Sequence, residues 1–289
     1  MAIAFLNGDY LPLEEARISP MDRGFLFGDG IYEVIPSYGG RLVGFDRHTD
    51  RLCEGLGAIG LSMPFSPKKL HEILTNLLNQ NSALNSDGNL GLYLQITRGE
   101  QPQRNHRFPD TVRHTSFAFP FSIPAPKAGD PEQSETFRVI TRRDLRWSRC
   151  HIKSVSLLGN VLHMMEGVAQ SCEEILLFND NDELTEASTS NVFIVKDGEI
   201  YTPPLDHQKL GGITRNMLID ILRDHGTVPC HEMAVSREQV ATADEVWLSS
   251  STKELSPVTE IDGCKVGSGG PGPFWSMAQS LLNLHRFDY

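Results

Sequence analysis

A chain of 289 residues, 39% hydrophobic and 22% charged, is long enough and apolar enough for two domains, each with its own core. Its formal net charge of −11 argues against a nucleic-acid or anionic-membrane partner, since no block of Lys and Arg offsets it. Five scattered cysteines without a C-x-x-C pair speak against a disulfide framework or zinc ribbon, and the start MAIAFLNGDY has no secretory-signal character, so a reducing cytoplasm is expected.

In chain order, Ile31 to Ser37 reads as a strand, Gly39-Gly40 as a turn and Arg41 to Phe45 as the returning strand. Asp46 is the expected cap of a helix running to about Ile59. Ser66-Pro67 opens a second helix, with proline in its first turn, ending near Asn79. Leu90 to Thr97 and Thr115 to Phe121 are further strands. This mixture predicts an α+β domain over 1–121 rather than strict βαβ alternation. Residues 122–135, SIPAPKAGDPEQSE, lack periodicity and read as an interdomain linker. A larger C-terminal domain is expected over 136–289. It opens with a strand from Phe137 to Thr141. An amphipathic helix from Ser156 to Cys172 follows, with Leu158, Val161, Leu162, Met165, Val168, Ala169 and Cys172 on one stripe. After the Lys196-Asp197-Gly198 turn come a helix near Thr214, a strand from Glu245 to Leu248 and a last helix from about Phe274 to His285.

The first residue that could carry chemistry is Lys153, in Arg149-Cys-His-Ile-Lys153-Ser, between a predicted strand and a predicted helix. A lysine forms an imine only as a neutral, accessible amine, which burial or nearby cations favour. A lone loop lysine is ordinarily solvated charge; its company changes the reading. Gly212-Ile213-Thr214 opens a helix whose free N–H groups suit a phosphate, with the Thr214 hydroxyl as a further donor. Ser249-Ser250-Ser251-Thr252 ends a strand in a second set of short donors. A carboxylate such as Glu186, set on the ring nitrogen of a cofactor, would keep that nitrogen protonated and make the ring an electron sink. Arg51 offers the fork of donors best matched to phosphate. The Gly28-x-Gly30 pair lacks the third glycine and the preceding strand of a dinucleotide site. No H-x-x-x-H, H-E-x-x-H or Cys/His cluster suggests a metal, and no G-x-S-x-G elbow suggests a serine hydrolase.

The run from Glu186-Ala-Ser-Thr-Ser-Asn191 through Leu210-Gly-Gly-Ile-Thr-Arg215 resembles the signature of class-IV (fold-type IV) aminotransferases dependent on pyridoxal 5'-phosphate (PLP). Asp22-Arg-Gly-Phe-Leu-Phe-Gly-Asp-Gly-Ile-Tyr-Glu-Val34 and Thr97-Arg98-Gly99 are similar to two other hallmarks of that family, and the likeness spans nearly the whole chain. It implies a two-domain mixed fold, with a small α/β domain before a larger barrel-like one. It also implies that Lys153 is the Schiff-base lysine and proton shuttle, and that Glu186 pairs with the pyridine nitrogen. Arg51, Ile213, Thr214, Ser250 and Ser251 would hold the phosphate, Ser188 would join the cofactor contacts, Leu210 would pack on the ring, and Tyr32 would reach the substrate side. Gln103-Arg104-Asn-His106-Arg-Phe-Pro resembles the carboxylate trap of D-amino-acid transaminases, which is contributed across a homodimer interface. The expected reaction is ping-pong transfer between D-amino acids, such as D-alanine or D-glutamate, and 2-oxo acids. Aminodeoxychorismate lyase and the branched-chain L-amino-acid and (R)-amine transaminases stay open as alternatives. Ala187 stands where the family usually has glycine, and His151 where an acid is usual.

Overall fold

The computed structural model describes every residue from Met1 to Tyr289, in two compact units. Met1–Ala125 and Ile152–Ser156 form the first; Pro126–His151 and Leu157–Tyr289 form the second.

The first unit begins with β1 (Ile3–Leu6) and β2 (Asp9–Pro12). Helix α1 (Arg23–Phe27) is capped by Asp22, which accepts from Gly24 N at 2.7 Å, and is stopped by Gly28 in the left-handed conformation, φ 68°. Strands β3 (Gly30–Tyr38) and β4 (Arg41–Leu42) form a hairpin whose turn glycines, Gly39 and Gly40, both have positive φ. Then come α2 (Phe45–Ala58), α3 (Pro67–Gln80), β5 (Leu90–Thr97) and β6 (Thr115–Ser122). The six strands lie in the order β2-β1-β6-β5-β3-β4. Alternation sorts the two faces. Ile31 and Ile35 of β3 and Leu90, Leu92, Leu94 and Ile96 of β5 pack on Leu52 and Leu56 of α2 and Leu70, Ile73, Leu74 and Leu77 of α3. Each such buried side chain is worth roughly 1.5–3 kcal/mol over an exposed one. Tyr32, Tyr93, Phe119 and Phe117, in that order, form an aromatic ladder on the other face, with successive centroids 5.2–5.7 Å apart.

Two local expectations change here. The cap of α2 is Gly44, at φ 60°, not Asp46; Phe45 is the first helical residue rather than a strand end. The left-handed glycine turns the chain straight after the two-residue β4, leaving Asp46 in the first turn, where its charge complements the helix dipole. Residues 152–156, expected with the C-terminal part, pack with the first unit. Ser154 bridges Ile31, Tyr32 N donates to Lys153 O at 3.1 Å, and Val155 N donates to Gly30 O at 3.1 Å.

The second unit comprises β7 (Phe137–Arg143), α4 (Leu158–Ala169), β8 (Glu174–Phe178), β9 (Leu184–Ala187), β10 (Asn191–Lys196) and β11 (Glu199–Thr202). These are followed by α5 (Ile213–His225), β12 (Cys230–Glu232), α6 (Arg237–Ala241), β13 (Glu245–Ser250), β14 (Glu254–Ile261), β15 (Cys264–Lys265) and α7 (Pro273–His285). One nine-stranded sheet runs β12-β11-β10-β13-β14-β7-β8-β9, with β15 on β14. Its core joins Val139, Leu176, Phe178, Val192, Ile194, Val246, Leu248 and Val258.

Helix α4 is shorter than expected and faces the other way. Leu158, Val161, Leu162, Met165 and Val168 are 52–70% exposed, whereas His163 and Gly167 are buried. Gly167 is where the helix meets β8, since a Cβ there would lie 3.1 Å from Ile175. The apolar stripe is therefore the outer face of this unit, the reverse of the usual orientation.

Candidate active site

In the first unit the backbone bonds of residues 153–155 to β3 fix Lys153 beside Tyr32, and Lys153 Nζ stands 4.1 Å from the centroid of that ring. Gly28 must be small: a Cβ there would fall 2.1 Å from Ser156 Oγ, which donates to Gly28 O at 3.2 Å. The neighbour of Tyr32 on β3, Glu33, points into the core and is fully buried. Arg51 of α2 closes on it as a fork, with Nε to Oε1 and Nη2 to Oε2 both at 2.7 Å, and His48 Nδ1 lies 2.7 Å from Oε2. Burial alone would raise the Glu33 carboxyl, but Arg51 and His48 outweigh it and hold the group far below the usual carboxylate range. Burial likewise pulls His48 below its ordinary value, against the pull of Glu33.

Arg104 and His106 sit exposed on the loop between β5 and β6, both against the Phe27 ring: Arg104 is 5.0 Å and His106 5.2 Å from its centroid. Buried Arg23 staples this loop, donating to the carbonyls of Asn105 at 2.6 Å, Arg107 at 3.3 Å and His106 at 3.4 Å. Asp29 holds both Arg23, at 2.7 Å, and Arg98, at 2.8 Å. Sequence reading missed this brace. The signal was present in Asp22, Arg23 and Asp29, three charged residues among glycines and aromatic or aliphatic side chains.

In the second unit Glu186 is the penultimate residue of β9 and is buried. Its Oε2 accepts from Leu210 N at 3.0 Å and Asn191 Nδ2 at 3.2 Å, and its Oε1 from Arg146 Nη1 at 2.5 Å. Burial pushes the Glu186 carboxyl above its ordinary value, with Arg146 opposing. Asn191 is the hub of this half. Its amide also donates to Leu210 O at 2.8 Å, and its backbone pairs across β10–β13 with Ser249. A Cβ on Gly212 would fall 2.0 Å from Asn191 Oδ1, so only glycine lets the entry to α5 approach so closely. Thus Glu186, Leu210, the α5 start at Ile213 and Thr214, and the Ser249–Ser251 corner are brought together. Ser188 is drawn elsewhere: its hydroxyl and amide both donate to Glu174 Oε1. Arg146 and its partner Asp144 were not foreseen as site residues.

Taken separately, each unit carries groups suited to part of a phosphorylated aldehyde on a pyridine ring. One has an amine beside an aromatic ring. The other has a buried carboxylate, a 13-residue helix whose N-terminus carries no side-chain cap, and a buried Ser249 hydroxyl without a hydrogen-bond partner. The residues present fit PLP.

The amino-transferase class IV family profile matches residues 30–261. The chain is 38% identical to a D-alanine aminotransferase of Listeria monocytogenes over 286 residues, 98% of this chain and 93% of the relative. It is also 38% identical to that of Bacillus licheniformis, over 96% and 94% of the two chains, and 37% identical to that of Staphylococcus haemolyticus, over 99% and 98%. Among solved structures, a branched-chain aminotransferase from Thermoproteus uzoniensis with norvaline superposes with a TM-score of 0.87 at 23% identity, covering 99% of this chain and 95% of the other. A hypothetical aminotransferase from Mycobacterium tuberculosis in its PLP-bound form gives 0.84 at 19% identity, covering 99% of each. Likenesses that distant establish the shared fold-type IV architecture, and the family match fixes PLP as the cofactor class. With the profile and near-full-length relatives in agreement, this chain belongs to the class IV aminotransferases.

Proposed function

We propose that this aminotransferase exchanges amino groups between D-amino acids and 2-oxo acids by a ping-pong route. The observation that carries the substrate assignment is the 37–39% identity to D-alanine aminotransferases over more than nine-tenths of both chains. The exposed Arg104 and His106 support it, because an arginine fork with a second donor suits an α-carboxylate.

Bound PLP supplies the electron sink for charge developed at the substrate Cα. Lys153 would hold the cofactor, and its Nζ would take and return the substrate Cα proton. Tyr32 flanks that amine on the substrate side. Glu186 holds a proton at the ring nitrogen, and Leu210, whose amide is fixed on Glu186, packs on the ring. Arg51, the Ile213 and Thr214 amides, and the Ser250 and Ser251 hydroxyls take the phosphate, while Ser188 lends support from its bond to Glu174. Arg104 and His106 would fix the substrate carboxylate and so orient the Cα–H bond for proton transfer to Lys153.

The active form is a homodimer in which the Arg104–His106 loop serves the neighbouring subunit, and the outward apolar face of α4 fits burial against a second copy. No helix is long and apolar enough to cross a membrane. The test is a turnover screen with paired D- and L-amino acids, 2-oxo acids and a chorismate-derived substrate. D-substrates should dominate, and Arg104→Ala should lower their kcat/KM by one to two decades, about 1.5–3 kcal/mol. A preference for L-leucine or the chorismate derivative would overturn the assignment.

A further inference from the structure

The Glu186 carboxylate is one end of a buried chain of charge that no other part of the reading uses. Arg146, 3% exposed, donates from Nη1 to Glu186 at 2.5 Å. Its Nη2 and Nε go to the two oxygens of Asp144 at 2.7 and 3.0 Å, and its backbone N also reaches Asp144 Oδ1 at 3.0 Å. Thr185 Oγ1 donates to Asp144 Oδ2 at 2.8 Å, and Gln208 O accepts from Arg146 Nη2 at 3.1 Å. Asp144 is itself only 10% exposed. Two carboxylates and one guanidinium leave one net negative charge.

The other titratable groups facing this chain are neutral or paired. Cys150 is pushed up to about 11 by burial and by the two carboxylates, against Arg146. His163 is lowered by burial, and its Nε2 accepts from Leu145 N at 3.2 Å, which leaves that nitrogen unprotonated. Asp206 is paired with Lys209 at 2.8 Å.

An arginine bonded straight to Glu186 would, by itself, work against Glu186: its charge repels a proton shared between the carboxylate and the cofactor's ring nitrogen. Resting on the Glu186 reading above, we infer that Asp144 is a positioning residue for the reaction. By cancelling the charge of Arg146, it leaves the Glu186 group net negative and so retains the proton at the ring nitrogen. Arg146 then contributes geometry, a rigid fork aiming Glu186, at no electrostatic cost.

Binding separates charge from structure. The probes are PLP and its 1-deaza analogue, in which a C–H replaces the ring nitrogen and no proton can be held. The wild type should bind PLP more tightly than the analogue, and Asp144→Asn should shrink that preference about tenfold, one pKa unit at the ring nitrogen. The double variant Asp144→Asn/Arg146→Met removes both intervening charges, restores one net negative charge, and should recover the preference although it has lost the same hydrogen bonds. A merely structural Asp144 would make the double variant worse. An unchanged preference in Asp144→Asn, or a lost one in the double variant, overturns the inference. Should Asp144→Asn fail to fold, Arg146→Met compared with Asp144→Asn/Arg146→Met reads the same charge: the first should prefer PLP over the analogue about tenfold more than the second, and equal preferences overturn the inference. Glu186→Gln separates the two levels: if it keeps the full preference the Glu186 role itself fails, whereas its loss alone, without an effect of Asp144→Asn, rejects only Asp144.

Discussion

The molecule buries two arginine–carboxylate clusters, one in each unit, and they are built to opposite ends. Around Glu33 the charges close: Arg51 forks onto the carboxylate, His48 completes it, and the carboxyl is held far below its usual range. Around Glu186 they do not close, because Asp144 already occupies most of the Arg146 fork, and burial pushes the carboxyl up. A saturated pair behaves as scaffold, whereas an unsaturated one keeps an appetite for a proton or a cation. The same two residue types thus fix a helix to a strand in one place and leave a buried carboxyl raised above its ordinary value in the other.

The comparison is broken most sharply by removing each carboxylate in turn. Glu186→Gln should cost about three decades in the single-turnover half-reaction, since an amide cannot hold the ring proton, while the cofactor stays bound. Rapid-mixing measurement of amino-acid turnover checks this, and near-normal rates would count against the role. Glu33→Gln should do the reverse. It strips a buried guanidinium of its fork partner and should lower stability by about 3 kcal/mol, read as a fall in melting temperature. Loss of turnover without loss of stability there would make Glu33 catalytic rather than structural.

A finer cut is Arg51→Lys. An ammonium keeps the charge but cannot bridge both Glu33 oxygens and still present a planar donor to phosphate. PLP affinity should weaken about tenfold, roughly 1.4 kcal/mol, measured by equilibrium titration of the apoprotein. An affinity equal to the wild type would remove Arg51 from the phosphate set.

How legible all this was depended on how local the cause is. Ser66-Pro67 announced α3 because the cap and the proline act within one turn, and Ser66 does accept from Lys69 N. Leu90 to Thr97 was readable to the residue because a strand's alternation is carried by its own side chains. Helix α4 was found by its 3.6-residue stripe, but periodicity gives a face and not a direction, and the stripe points out. The cap of α2 was misplaced because a left-handed glycine outranked the nearby aspartate, a choice set by the hairpin before it. Lys153, Glu186 and Gly212 could be picked out by family spacing. Asp144 and Arg146 were harder, since the contacts that tie their pair to Thr185 and Glu186 span 41 and 40 residues, and Arg23, although Asp29 lies six residues away, owes its role to a loop carbonyl 82 residues on.

The smallest expected effect is also the most direct reading of the contrast. The two carboxyls should pull stability in opposite directions with pH in the apoprotein. Both start from an ordinary value of 4.5. Glu33 is lowered on folding, so the unfolded chain binds more protons in the acid range and stability rises with pH there. Its contribution is complete above about pH 4.5 and is lost as pH falls toward the folded value. Glu186 is raised on folding, so the native state binds more protons and stability falls as pH climbs from about 4.5 through the folded value. At pH 7 the apo Glu186→Gln variant should therefore be as stable as the wild type or more so, with the advantage gone below about pH 4.5. The Glu33→Gln deficit should instead be largest at neutral pH and shrink on acidification. Melting temperatures of the three apoproteins from pH 4 to pH 8 read both slopes at once. If the two variants drift from the wild type with the same sign, Glu186 is a closed pair like Glu33, and the excess negative charge that sets the site apart does not exist.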